Sequence, residues 1–188
     1  MALPSGALLL AGTIAFAVSM GEGAMADWSA VFLRAVAGAS EAQAALGYAA
    51  FSAAMVLTRL SGAMIVQRLG PVGTMRASGS VAFAGLALAA GAGTLALALP
   101  GFAMAGVGYA VVMPLVFSRA ASDAAMRPGP AIAGVATLGY GGMLLGPPVM
   151  GFVAEAAGLR ASFAMLAMLA LVAVALAPSL RDDRQGQG

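Results

Sequence analysis

Glu22 and Asp27 are the two acids in a long N-terminal apolar run, within the stretch Gly21-Glu22-Gly23-Ala24-Met25-Ala26-Asp27-Trp28. An ionisable group at membrane depth is costly and marks a pathway unless it reaches the interface. Glu22 admits both readings: it lines a polar pathway, or it sits one turn below the outer surface. Asp27 is expected among the headgroups, with Trp28 as an interfacial anchor. The two acids are five residues apart, roughly 140° around a regular helix, so one helix cannot aim both at one cavity. Arg59 closes an apolar segment. Its expected role is to snorkel toward cytoplasmic headgroups, with a cytoplasmic gate as the second reading. Tyr48, Met113 and Tyr140 place polar or polarizable tips inside other apolar segments, and each reads as core packing or as cavity lining. Tyr109 and Met113 are four apart and share a helix face.

Chemistry of other kinds lacks its residues. The chain has no histidine and no cysteine, and all nine basic residues are arginine. That removes the commonest general base, thiol nucleophiles, disulfides and the usual zinc ligands. No phosphate-binding loop or clustered Asp motif is present. No cofactor and no metal are expected, and an intramembrane enzyme is disfavoured. The pI near 9.7 accompanies a net charge of only +2. Membrane topology explains those arginines better than nucleic acid does.

The elements that must position these residues are apolar. The chain is 62% hydrophobic and 9% charged, with mean hydropathy +0.98 over 188 residues. A hydrocarbon core about 30 Å thick needs roughly 20 apolar residues of helix. Six stretches qualify: 3–33, 42–66, 72–90, 95–117, 131–156, and a last one ending at 178. The fold class is therefore all-α, a polytopic bundle of six transmembrane helices. Residues 1–180 form one six-span domain and 181–188 a disordered cytoplasmic tail. The first run lacks a basic flank and is too long for a leader, so it reads as a span.

No charge occurs between Arg76 and Arg119. A break at Pro100-Gly101 would leave too short a remainder, so the expected break is Gly91-Ala92-Gly93-Thr94. Pro147 and Pro148 remove two amide donors in the fifth span and predict a kink there. Gly142 and Gly146, four apart, allow close helix approach.

Seven arginines (59, 68, 76, 119, 127, 181, 184) lie on the side of the termini and two (34, 160) lie opposite. This positive-inside bias puts both termini in the cytoplasm. Gly62-x7-Gly70 joins spans 2 and 3, and Gly151-x6-Gly158 joins spans 5 and 6. Three-span units of opposite orientation are the trace of a 3+3 inverted repeat; chance similarity in a Gly/Ala-rich chain explains the spacing equally well.

Residues 21–33 resemble the seventh helix of a bacterial, fucose-permease-like branch of the major facilitator superfamily (MFS). Thr58-Arg59-Leu60-Ser61-Gly62 through Arg68-Leu69-Gly70-Pro71 resembles that family's loop between helices eight and nine. Gly106-Val107-Gly108 with Val112-Met113-Pro114-Leu115 resembles its tenth helix. Gly146-Pro147-Pro148-Val149-Met150-Gly151-Phe152 resembles its eleventh. Gln67 stands where the loop's acid is expected and Pro71 where a basic residue is. This weakens a charge-relay role for Arg68.

The resemblance implies the C-terminal half of a secondary transporter in the bacterial inner membrane. Such a protein moves a small solute by alternating access with proton coupling. Its implied partners are the lipid bilayer, the solute, the proton, and a missing N-terminal six-helix half or a second copy. The alternative is a truncated, non-transporting membrane module that needs a partner half.

Overall fold

The computed structural model describes residues 6–180. The cytoplasmic tail expected at 181–188 lies outside them. The described chain forms seven α-helices and a short 3₁₀ turn: α1 Gly6–Ala37, α2 Glu41–Leu60, α3 Gly62–Gly91, α4 Leu95–Tyr109, α5 Val112–Ala121, α6 Pro128–Ala157, α7 Leu159–Leu176, and the turn Ala177–Leu180. It contains no strand. Five stretches are long and apolar enough to cross a membrane: Gly6–Ala37, Gly62–Gly91, Leu95–Ala121, Pro128–Ala157 and Leu159–Leu180.

Six spans follow once two boundaries are read from the backbone. Gly70 (φ 68, ψ 167) interrupts α3 with a conformation that only glycine adopts readily. Thr58 and Ile65 before it share a cleft with Thr74, Ser78 and Val81 after it, so the chain doubles back there. Span 2 is thus residues 41–69 and span 3 is 71–91. The loop expected over 67–71 contracts to one glycine, followed by Pro71, whose missing donor costs least in a first turn. Span 4 is α4 plus α5, broken at Ala110-Val111.

The break expected at 91–94 is present: α3 ends at Gly91 and α4 begins at Leu95. Arg160 donates from Nη1 to the Ala90 carbonyl at 2.9 Å, satisfying an orphan acceptor at the end of α3. Span 2 opens on a capping box, in which Ser40 Oγ accepts from the Gln43 amide and Gln43 Oε1 from the Ser40 amide.

The halves of the bundle repeat. Gly70 and Gly158 (φ 86, ψ 161) make the same one-residue reversal after spans 2 and 5. Span 1 packs on span 5 as span 4 packs on span 2, and spans 3 and 6 pack on each other. This is the exchange of neighbours that a 3+3 inverted repeat requires. The core between the units is aromatic: Phe32, Phe102 and Phe163 cluster with ring centroids 4.5–6.0 Å apart.

The α1–α6 contact is the closest-fitted. On α6 the buried stripe is Ala131, Val135, Gly139, Gly142, Gly146 and Met150, a helical spacing of three and four. A Cβ on Gly146 would lie 2.5 Å from the Met20 carbonyl oxygen, and one on Gly142 would fall onto that of Phe16. Both prolines 147 and 148 lie inside α6. Pro147 leaves the Met143 carbonyl without its helical donor, and that oxygen lies 2.6 Å from where a Cβ on Gly23 would be.

Candidate functional site

Glu22 sits midway along α1: about 24 Å of helix separates it from Gly6 and about 22 Å from Ala37 at 1.5 Å per residue. It is therefore not one turn below the end of the span, as the second of its readings had it. The longer helix, extending to Ala37 rather than Leu33, moves it to the centre. Asp27 is exposed and takes no part in the same site.

Arg59 requires the larger correction. With span 2 running to residue 69, Arg59 lies about 16 Å of helix before the Gly70 reversal. Its side chain, 44% exposed, turns toward spans 1 and 4. Nε donates to the Ala110 carbonyl at 3.0 Å, and Nη2 lies 4.0 Å from Glu22 Oε1. An acid on span 1 and a base on span 2 thus face each other, the base 44% and the acid 25% exposed. The pair is loose, and Glu22 Oε1 is buried with no hydrogen-bond partner. Tyr109 adds a buried hydroxyl, also without a partner, against Gly21. Sequence reasoning assigned Tyr109 to the core, where it lies, but gave no sign that its hydroxyl abuts the turn that carries Glu22.

A cavity of about 220 Å³ opens beside the acid. Ser19, Glu22, Met113, Phe117, Tyr140 and Met143 contribute to its wall. Three of the five pathway candidates therefore meet: Glu22, Met113 and Tyr140. Ser19 Oγ lies 3.8 Å from Met113 Sδ. Tyr48 does not join them. It is 44% exposed and stacks on Phe51 at 6.0 Å. A second cavity, of about 320 Å³, lies beyond Arg59 and is lined by Gly62, Val66, Val111, Pro114 and Ser118. The Arg59–Glu22 pair joins one residue from each cavity wall. Arg68 is exposed near the Gly70 reversal.

Trp28 does more than anchor an interface. Its Nε1 donates to the Pro147 carbonyl at 3.1 Å. Nothing in the sequence signalled this contact, since the carbonyls that Pro147 and Pro148 leave without donors are those of Met143 and Leu144. No group of three or more His, Cys, Asp or Glu side chains able to hold a metal occurs among the described residues.

Six spans in two inverted units of three, with a charged pair within the first unit, define one half of a transporter-type bundle. The solved structure of the MFS transporter FucP in its outward conformation superposes with TM-score 0.85 at 18% identity, over 94% of this chain and 43% of FucP. A variant of FucP, the fucose:proton symporter of E. coli, gives 0.83. The uncharacterized transporter y4wD of Sinorhizobium fredii is 47% identical over 182 residues, 97% of this chain and 48% of that protein. An uncharacterized MFS-type transporter of Yersinia pestis is 36% identical over 174 residues, 93% of this chain and 45% of that protein. No family model matches. By fold and by relatives, the chain belongs to the major facilitator superfamily and matches one six-helix half of it. The chain spans about half the length of the curated relatives it matches.

Proposed function

We propose that this chain is the C-terminal half of a proton-coupled secondary transporter in a bacterial inner membrane. It moves a small solute by alternating access against a complementary six-helix half. The observation that carries this reading is Glu22: a carboxylate midway along α1, beside a cavity and 4.0 Å from Arg59. Charge in the middle of an apolar bundle is kept where it serves a wet path. The likeness to a fucose:proton symporter supports coupling to protons without naming this chain's solute.

With Arg59 engaged at Ala110 and left out of the count, six arginines remain on the side of the termini against two opposite. The cytoplasmic assignment of both termini keeps its basis.

The test uses the complete protein, this chain joined to its other half, reconstituted in vesicles that enclose a pH-sensitive dye. Sugars, polyols and amino acids are added one at a time. A solute that acidifies the lumen identifies the cargo. Glu22→Gln should then abolish solute-driven proton entry while the protein still inserts and folds. Asp27→Asn should retain it. Proton entry at the unaltered rate in Glu22→Gln would remove Glu22 from the pathway.

A further inference from the structure

Pro114 has no amide hydrogen, so the Ala110 carbonyl, four residues earlier, has no helical donor. The proline ring also crowds that carbonyl. Span 4 breaks at this point: Val111 takes φ −105, ψ −2 between α4 and α5. A freed carbonyl inside a bundle is costly unless a donor reaches it. Arg59 supplies the donor from another span, Nε to Ala110 oxygen at 3.0 Å. The same guanidinium holds its Nη2 toward Glu22. One side chain thus binds the defect of span 4 while it faces the carboxylate of span 1 at 4.0 Å. Its planar fork allows both at once, which a lysine ammonium on a flexible stem would not.

We propose that Arg59 is a positioning residue that couples the charge state of Glu22 to the break in span 4. With Glu22 ionised, the guanidinium is pinned between the carboxylate and the Ala110 carbonyl, and the α4–α5 angle is fixed. When the Glu22 carboxylate takes a proton from water in its cavity, the electrostatic tether is lost. Arg59 is then free to turn into the larger cavity it already lines, and the break loses its donor. The titratable and charged groups around this point are Glu22 on α1, Arg59 on α2, Tyr109 on α4 and Tyr140 on α6. Only Glu22 changes charge between neutral and mildly acidic pH. The coupling is a property of these three spans and does not depend on transport.

The chain has no cysteine, so two introduced thiols can carry spin labels without a background. Leu97 on α4 and Ser118 on α5 are both exposed and lie about 30 Å apart along the span, 21 residues at 1.5 Å. In lipid nanodiscs the unaltered protein should give one narrow distance distribution at neutral pH and a broad one near about pH 4. Glu22→Gln should be broad at both, as should Arg59→Met. Pro114→Ala restores an amide donor to the Ala110 carbonyl, so it should be narrow at both and should restore a narrow distribution to Arg59→Met. Should Arg59→Met fail to fold, Glu22→Gln and Pro114→Ala alone still read the coupling. A distribution indifferent to pH in the unaltered protein, or a Pro114→Ala/Arg59→Met double variant as broad as Arg59→Met, would overturn the proposal.

Discussion

Gly142 and Gly141 are neighbours on α6 and should respond to the same substitution in opposite senses. A Cβ on Gly141 meets nothing within 4 Å, whereas one on Gly142 falls onto the Phe16 carbonyl. Gly146 allows the arithmetic: its Cβ would lie 2.5 Å from the Met20 oxygen, and real contacts begin between 3.0 and 3.4 Å. The helices must therefore part by 0.5 to 0.9 Å. A gap of that size forfeits roughly a quarter to a half of each dispersion contact it opens. Spread over the buried stripe of α6, overpacking costs about 1–3 kcal/mol. Replacing glycine by alanine in a helix returns about 1 kcal/mol. Gly142→Ala and Gly146→Ala should each destabilise by up to about 2 kcal/mol net. Gly141→Ala should be neutral or gain up to about 1 kcal/mol. Trp28 is the only tryptophan and is hydrogen-bonded to α6, so its emission during a denaturing-detergent titration reports this interface. If Gly142→Ala proves no less stable than Gly141→Ala, the close α1–α6 approach is not what holds the bundle there.

Other outcomes follow from single sites. Tyr109→Phe removes a buried hydroxyl that has no hydrogen-bond partner and should be neutral or stabilising by up to about 1 kcal/mol in the same titration. Gly70→Ala forces a side chain into φ 68, ψ 167 and should cost about 1–3 kcal/mol, with the loss appearing as a lower thermal midpoint in detergent. Cysteines placed singly at Ala39 and Gly158 should react with an impermeant thiol reagent in intact cells, and one at Gly70 should not. The reverse pattern would invert the topology.

The spans and their number were legible because bilayer thickness turns apolar length into helix count. The 91–94 break was legible because the alternative left too little helix to cross. The depth of Arg59 was not. Gln67, Arg68, Gly70 and Pro71 together look like a loop of several residues, yet Gly70 alone makes the turn, and helix extends to its edge. Those few residues set Arg59 further from the end of its span. The break in span 4 had its cause in view at Pro114. What the sequence could not supply was the donor, since Arg59 and Ala110 are 51 residues apart. Glu22, Met113 and Tyr140 were named separately. Their meeting depends on how α1, α5 and α6 face one another, a matter of packing that no local pattern encodes.

Span 2 carries a consequence for how the protein is made. Five segments meet the length and hydropathy needed to enter a bilayer, and Glu41–Leu60, the first part of span 2, reaches them only with residues 61–69 that complete the span. It begins with Glu41, ends beside Arg59, and holds Tyr48 and Ser52 between. A segment of this kind partitions poorly from the insertion machinery when presented alone. Span 1 precedes it across the three residues between Ala37 and Glu41, and span 3 follows across Gly70. Residues 61–69, with Met64, Ile65 and Val66, supply the apolar length beyond Arg59, so span 2 is complete for insertion only once the chain has been made as far as Gly70.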